Sequence, residues 1–416
     1  MKSQCFSLRL VTPAFVAGAA SGRAQTDLPT KGEKPWEYTI RPEGDSIRVA
    51  SLRGILRFWF RAAALEWDET RLFERESRVF GSTEHGQGLR LQAIGGDPWQ
   101  GETITAKPGS AKAYLGYGPI GATRKGEDFS SKNRFVFRQA VPAATTLHFR
   151  AFGRPDQIEE LKRCLLLLHL FGGIGSRSRR TWGSVEVVGA DIPPIDARSA
   201  DSLANLYGDL LHHVWQGEPG PSARTGVPKH SAFHTKTRVR VTPVRASWED
   251  VMVDFHKRFE ATRLWNFRGG ARESSPIGAA DHDLEVRTAD VTRSRAKLQA
   301  VPKRVAYGLP YAPESNRNNW RVEYVRTPRG TTPDPQHTEG RRASPLFLKV
   351  VRLADGRYAG VALFLGGRFF AEDDAEIGAV IGKGHKQAKP GSVPFPGYEA
   401  VHEFLDARDW ASVPLP

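Results

Sequence analysis

The chain has 416 residues, 39% of them hydrophobic, with 60 lysines and arginines against 46 acidic residues and a net charge of +14. This length exceeds the roughly 100 to 200 residues of one ordinary domain and predicts two, while the charge favours a partner with repeating negative charge, nucleic acid ahead of a membrane surface. Two cysteines without metal-ligand spacing, Cys5 and Cys164, argue against a disulfide framework or a zinc module, and no apolar run reaches the roughly 20 residues that span a bilayer.

Met1 and Lys2 lead into apolar residues and then Gly18–Ala24, a pattern that imitates a signal peptide. Arg9 and Pro13 interrupt it, and Phe6, Leu8 and Leu10 alternate, so a strand over Cys5–Val11 of a cytoplasmic protein is expected instead. Ser51 opens a helix whose apolar positions Leu52, Ile55, Leu56, Trp59 and Ala63 recur at helical spacing to about Trp67. Gly81–Asn133 is dense in glycine and predicts irregular loops, bracketed by strands at Phe135–Phe137 and Thr146–Ala151. Pro155 and Asp156, with Glu159 three positions on, suggest a capping box for a helix that Gly172 ends, and Trp182–Val188 is the last strand. Strand, helix, strands, helix, strand is the ferredoxin-like plan, an α+β fold with a four-stranded antiparallel sheet under two helices. A doubly wound sheet fits less well, because strands and helices do not alternate regularly.

The first domain is accordingly placed at 1–192. A linker with a short helix around Leu203–Val214 and the breaker-rich Gly217–Ser222 fills 193–236, and a second ferredoxin-like domain occupies 237–416. It opens with Thr237–Pro243, an echo of Leu8–Pro13 that is short as repeat signals go. Trp248–Trp265 reads as a helix, Asn266–Pro345 as long polar loops, Phe347–Val351 and Val361–Leu365 as a hairpin, and Glu399–Arg408 as a closing helix.

The chemistry concentrates in two places. Arg53, Arg57 and Arg61 are spaced by four and form one basic stripe beside the apolar face of the first helix, either a solvated face with snorkelling stems or a ligand surface. The loop Phe171–Ser184 carries Gly172, Gly173 and Gly175 with Arg177, Arg179 and Arg180, so that backbone amides and planar guanidinium forks can meet phosphates. Trp182 at its end either stacks on a base or packs beneath the loop, the usual fate of a lone tryptophan at a strand start. A nucleotide-hydrolase phosphate loop needs a Gly-Lys pair that is missing here, and a dinucleotide fingerprint runs strand to helix, the reverse of this order. Stripe and loop together predict RNA held through its phosphates.

Catalytic signals are thin. His85, His169, His212, His213, His230 and His234 lie outside both the stripe and the loop, and Asp281, His282 and Asp283 are too close in sequence to face one ion from regular structure. No metal, no cofactor and no catalytic residue is therefore assigned.

The arrangement resembles the RAMP superfamily of CRISPR systems, whose ferredoxin-like modules carry a glycine-rich loop between the last helix and the last strand. Leu10–Phe15, Ser51–Ala62, Val79–Ser82 and Gly340–Leu346 are similar, more narrowly, to the first-numbered subunits of the Cmr (type III-B) effector complex. The resemblance implies two tandem ferredoxin-like domains and a non-catalytic, antiviral RNA-binding subunit at the head of an RNA-guided complex. It would lie near the 3′ part of the guide CRISPR RNA and the paired single-stranded target RNA, beside neighbouring RAMP subunits. It maps the family's basic helix and glycine loop onto the residues named above and adds a second-domain patch, Arg341 and Arg342. The alternative in the same superfamily is a metal-independent endoribonuclease that processes CRISPR RNA, with His85 its candidate base.

Overall fold

The computed structural model describes residues 1–16, 47–64, 66–84, 86–107, 109–120, 139–215, 220–223, 226–262, 280–281, 300–308, 320–326, 343–369, 375–381, 387–388 and 393–416. The alternation of Phe6, Leu8 and Leu10 makes β1 (Lys2–Leu10), with those side chains buried and Arg9 between them turned away. β2 (Arg90–Gly96), β3 (Thr146–Gly153) and β4 (Val185–Gly189) complete an antiparallel sheet in the order β2-β3-β1-β4. Lys2 stands opposite Gly153 at one end of the β1–β3 pair and Arg9 opposite Thr146 at the other, while Phe6–Leu10 pairs with β4.

Two helices separate β1 from β2: α1 (Val49–Ala63) and α2 (Glu69–Phe80). The second was not predicted, and the first stops at Ala63 rather than Trp67, because the chain turns extended at Ala64 and restarts at Asp68, whose Oδ1 accepts the Arg71 N–H at 3.0 Å. A short helix, α3 (Ala111–Leu115), lies in the stretch expected to be irregular, and Phe135–Phe137 lies outside the described residues. α4 (Pro155–Phe171) joins β3 to β4. Its cap is two residues upstream of the expected Asp156: Gln157 Oε1 accepts the Arg154 N–H at 2.9 Å and Pro155 takes the first helical position, where its missing N–H costs nothing. Leu52, Leu56 and Trp59 of α1 and Leu161, Leu165 and Leu168 of α4 bury against the inner face of the sheet.

The second half repeats the plan. β5 (Arg238–Val241), β7 (Leu346–Arg352), β8 (Tyr358–Phe364) and β11 (Ala411–Ser412) pair in the order β11-β5-β8-β7, which is the order of the first sheet counted from its own first strand. Helices α6 (Trp248–Thr262) and α7 (Glu399–Leu405) pack on it through Phe255, Phe259 and Phe404. Thus the chain is two tandem ferredoxin-like units. An extra sheet, order β10-β9-β6, interrupts the second: β6 (Trp320–Arg326) stands where polar loops were expected, and β9 (Ala375–Ile381) and β10 (Gln387–Ala388) in a stretch for which no element was expected.

The short echo between Leu8–Pro13 and Thr237–Pro243 has a structural meaning. Thr12 and Thr242 end the equivalent strands β1 and β5 fully buried, and each hydroxyl accepts a backbone N–H, from Ser184 at 3.0 Å and from Gly360 at 2.8 Å.

Between the units, α5 (Ala200–Val214) is packed rather than tethered. Tyr207 Oη donates to Leu170 O at 2.9 Å, Trp215 Nε1 to Ala63 O at 3.0 Å, and Phe233 N to Ala62 O at 2.9 Å. The described part of 193–236 therefore wedges against both α1 and α4.

Candidate nucleic-acid interface

The glycine loop begins where α4 ends, with Gly172 N–H donating to Leu168 O at 2.8 Å. The chain then doubles back on itself. Ile174 N bonds Gly183 O at 2.8 Å, Gly183 N bonds Pro13 O at 2.8 Å, and Ser176 N bonds Phe15 O at 2.8 Å, while Gly173 bridges to Ser184. Two positions require glycine: Gly175, at φ +79°, would place a Cβ 2.5 Å from Phe15 O, and Gly183, at φ +66°, would place one 2.0 Å from Ile174 O.

Arg177 and Thr181 also take left-handed φ, 64° and 73°, which side-chain-bearing residues resist. Hydrogen bonds from outside the loop hold that turn. Thr181 N donates to Leu348 O at 2.9 Å, Leu348 N to Arg179 O at 3.1 Å, and Thr12 Oγ1 to Thr181 O at 2.6 Å. The loop is thus pinned to β7 of the second unit.

The three loop arginines point in different directions. Arg177 is exposed, with its guanidinium over Gly118. Arg179 lies 4.3 Å from the Phe347 ring centre and 5.5 Å from that of Phe58, and its NH1 donates to Ser344 O at 2.7 Å. Arg180 sits 4.7 Å over Phe259 of α6. Of its two expected fates Trp182 takes packing beneath the loop and not the RNA contact: it is fully buried, 4.8 Å from Phe15 and 6.1 Å from Trp248, so no ring face is available to a base.

Against the loop lies the first half of α1. Two adjoining recesses, about 290 and 210 Å³, share Ser51 and Ile55; the first is walled by Phe58, Gly173 and Arg179, the second by Arg48, Gly175 and Ser176. Arg48 is exposed at the N-cap of α1, whose cap makes no side-chain bond and whose first turn carries no acid, so the amide end of the helix dipole faces this groove.

The stripe does not converge with the loop. Arg53, Arg57 and Arg61 lie about 120° around the axis from the groove face of α1, and all three turn toward α2 and the turn after it. Arg53 donates to Leu89 O at 3.2 Å and Arg57 to Gly81 O, while Arg57 and Arg61 pair with the buried Glu76 at 3.3 and 2.7 Å. The groove residues Arg48, Ser51 and Phe58 were missed. Ser51, Ile55 and Phe58 do recur at helical spacing, but Ile55 reads as core, and the Phe347 wall comes from 290 residues downstream of nearby positions such as Arg57.

Among the described histidines, His256 faces Glu260 at 3.9 Å and His402 faces Arg238 at 3.3 Å, and neither lines the groove. His169 is buried, accepts the Val187 N–H at Nδ1 (3.0 Å), and burial pulls its pKa down to about 3. Burial also lowers His234, to about 4, and His230, which touches Arg61 O at 3.3 Å. His212 and His213 are exposed on α5. Asp281 is buried and bonds Lys303 N and Arg304 N, a structural role, and no group of three His, Cys, Asp or Glu among the described residues could hold a metal ion. His85, His282, Asp283, Arg341 and Arg342 lie outside the described residues. Among those described, no helix is long and apolar enough to cross a membrane.

Residues 7–186, from β1 through the glycine loop into β4, match the RAMP superfamily. The matched stretch lies in the N-terminal unit and covers less than half of the chain. Over the whole chain the fold is similar to the crystal structure of Cmr1 from Pyrococcus furiosus in its apo form, at 16% identity with 99% of each chain covered and a TM-score of 0.51. A chain in the cryo-EM structure of the type III-B Cmr-beta complex bound to cognate target RNA matches at 13% identity, covering 89% of this chain and 96% of that one, with a TM-score of 0.47. No curated protein matches the sequence. The matched stretch contains the glycine loop, and the likeness to Cmr1 extends the same tandem fold over the second unit.

Proposed function

We propose that the chain is a non-catalytic RNA-binding subunit at the head of a type III-B CRISPR effector complex, holding the 3′ part of the guide RNA and the paired target beside neighbouring RAMP subunits. The observation that carries this reading is the groove between the pinned glycine loop and the amide end of α1, with Arg179 in its wall and Arg48 and Arg177 exposed around it. A preformed backbone cradle with cations at its rim suits phosphates, which fix position without reading bases. Gly172, Gly173 and Gly175 shape the cradle, and the resemblance adds Arg341 and Arg342 from the second unit. Arg53, Arg57 and Arg61 serve it indirectly, by fixing α1.

Titrating labelled single-stranded RNA into the chain, alone and within its assembled complex, tests the reading. Binding is expected to weaken steeply with salt, and Arg177→Ala with Arg179→Ala to lower the log–log salt slope by about 0.7 per lost phosphate contact. Equal binding by wild type and by the Arg177, Arg179 and Arg180 triple alanine variant would remove the loop from the site. Specific cleavage of repeat RNA that disappears in His85→Ala would overturn the non-catalytic assignment.

A further inference from the structure

The helices cover one face of the first sheet; among the described residues the other face stays open. There Cys5, Arg90, Gln92 and Arg150 are exposed, and Arg9, His148 and Phe152 half-buried. The register sets them in rungs: Arg90 opposite Phe152 and Phe152 opposite Ser3, then Gln92 opposite Arg150 and Arg150 opposite Cys5. Ser7 and His148 share a hydrogen bond of 2.8 Å on the third rung, and Arg9 stands opposite Thr146 and Glu186 on the fourth.

Charge on this face is uncompensated at one end. Arg57, Arg61, Arg154 and Arg245 each pair with a carboxylate, whereas Arg90 and Arg150 pair with none among the described residues. Glu186 beside Arg9 tempers the far end, so the cationic end is the one that carries Phe152. At that end a pocket of about 380 Å³ opens between Phe152, Arg90, Gln92, Gln87 and the first turn of α4 at Arg154 and Gln157. This lies within the 300 to 1,000 Å³ of sites that enclose a small molecule, enough for one nucleotide. Arg154 is occupied by Asp156 at 3.2 Å and Gln157 by Arg78 O at 2.8 Å, which leaves the exposed amides of Gln87 and Gln92, each both donor and acceptor, facing the pocket.

We infer that this open sheet face binds single-stranded RNA, with one base stacked on Phe152 in the pocket and backbone phosphates on Arg90 and Arg150. Four-stranded sheets of this strand order present their two central strands, here β1 and β3, to unstacked bases, and aromatic stacking tolerates any base. An acidic protein segment would neutralise the arginines but leave the amide-lined pocket beside Phe152 without a purpose. The surface is distinct from the glycine-loop groove, because α1 lies on the opposite face of the sheet, and the inference does not depend on the groove binding RNA.

The test uses the full chain and a short fluorescein-labelled polyuridine RNA, read by anisotropy across a salt series and by ultraviolet crosslinking with peptide mapping. Phe152→Leu is expected to weaken binding about tenfold at unchanged salt slope, through lost stacking. Arg90→Ala with Arg150→Ala is expected to lower the slope by about 1.4, and the double lysine variant to retain it. Crosslinks to peptide 146–154 should persist in Arg177→Ala. Wild-type binding by both sheet variants, with crosslinks confined to the glycine loop, overturns the inference while leaving the groove intact. So does displacement of RNA by polyglutamate together with no effect of Phe152→Leu, which would make the face a docking site for acidic protein.

Discussion

His169 ends α4 inside the seam between the two sheets, and its environment makes the fold sensitive to acid. Burial, aided by the nearby Lys349, holds its pKa near 3, whereas an unfolded imidazole takes up a proton below about 6.5. Between those values the unfolded chain binds a proton that the folded chain refuses. The stabilisation is therefore complete above about pH 6.5 and is lost as pH falls toward 3. For this residue alone the loss between about pH 7.5 and pH 5 amounts to about 2 kcal/mol. Urea midpoints at the two pH values check it: His169→Gln, which keeps an acceptor for the Val187 N–H, should shrink the difference by about that amount. An unchanged difference would assign the acid sensitivity to the other histidines whose pKa values burial lowers, His230, His234, His256 and His402.

At the scale of elements, the glycine loop and the α1–α2 pair are each held by one small feature. Gly175→Ala forces a side chain into a left-handed conformation with its Cβ 2.5 Å from Phe15 O, and backbone cannot yield as a flexible side chain would. A loss of about 2 kcal/mol or more is expected, along with weakened RNA binding, since Ser176 must leave Phe15. Glu76 is the corresponding feature for α1 and α2, a buried carboxylate shared by Arg57 and Arg61. Because both arginines can reach water, Glu76→Gln should cost about 1 to 2 kcal/mol, less than a fully buried pair, and a thermal melt would show it. Glu76 also explains why α2 escaped detection. Its buried face is Leu72, Glu76, Val79 and Phe80, a helical spacing whose second member reads as polar, so the period is hidden by the charge that the arginine stripe needs. The stripe itself was visible and its direction was not, because its partner is an acid in a helix that the pattern conceals. By contrast, β1, α4 and the β7–β8 hairpin were legible, since each buries an uninterrupted apolar face between strong breakers.

For the whole molecule, the tandem plan was readable from element order, but the union of the two units was not, since it rests on contacts between residues far apart in sequence. One apolar cluster runs from Trp59 and Phe171 to Phe347 and Val239, and the glycine loop of the first unit is bonded to β7 of the second. Lys349, 2% exposed in the middle of β7, makes the seam specific. Its Nζ donates to Leu168 O at 2.9 Å and Val185 O at 2.7 Å, both in the first unit, and burial drives its pKa well below the usual lysine value. The amine thus spends donors on two carbonyls of the other unit. Lys349→Met keeps the length of the side chain but leaves both carbonyls without that donor, at a cost of about 1 to 3 kcal/mol. If the halves 1–192 and 237–416 fold as one cooperative body, the variant should still unfold in a single transition, displaced to lower urea, with tryptophan fluorescence and far-ultraviolet circular dichroism coincident. Two separated transitions in the wild type would mean that the units fold independently and that Lys349 joins finished domains.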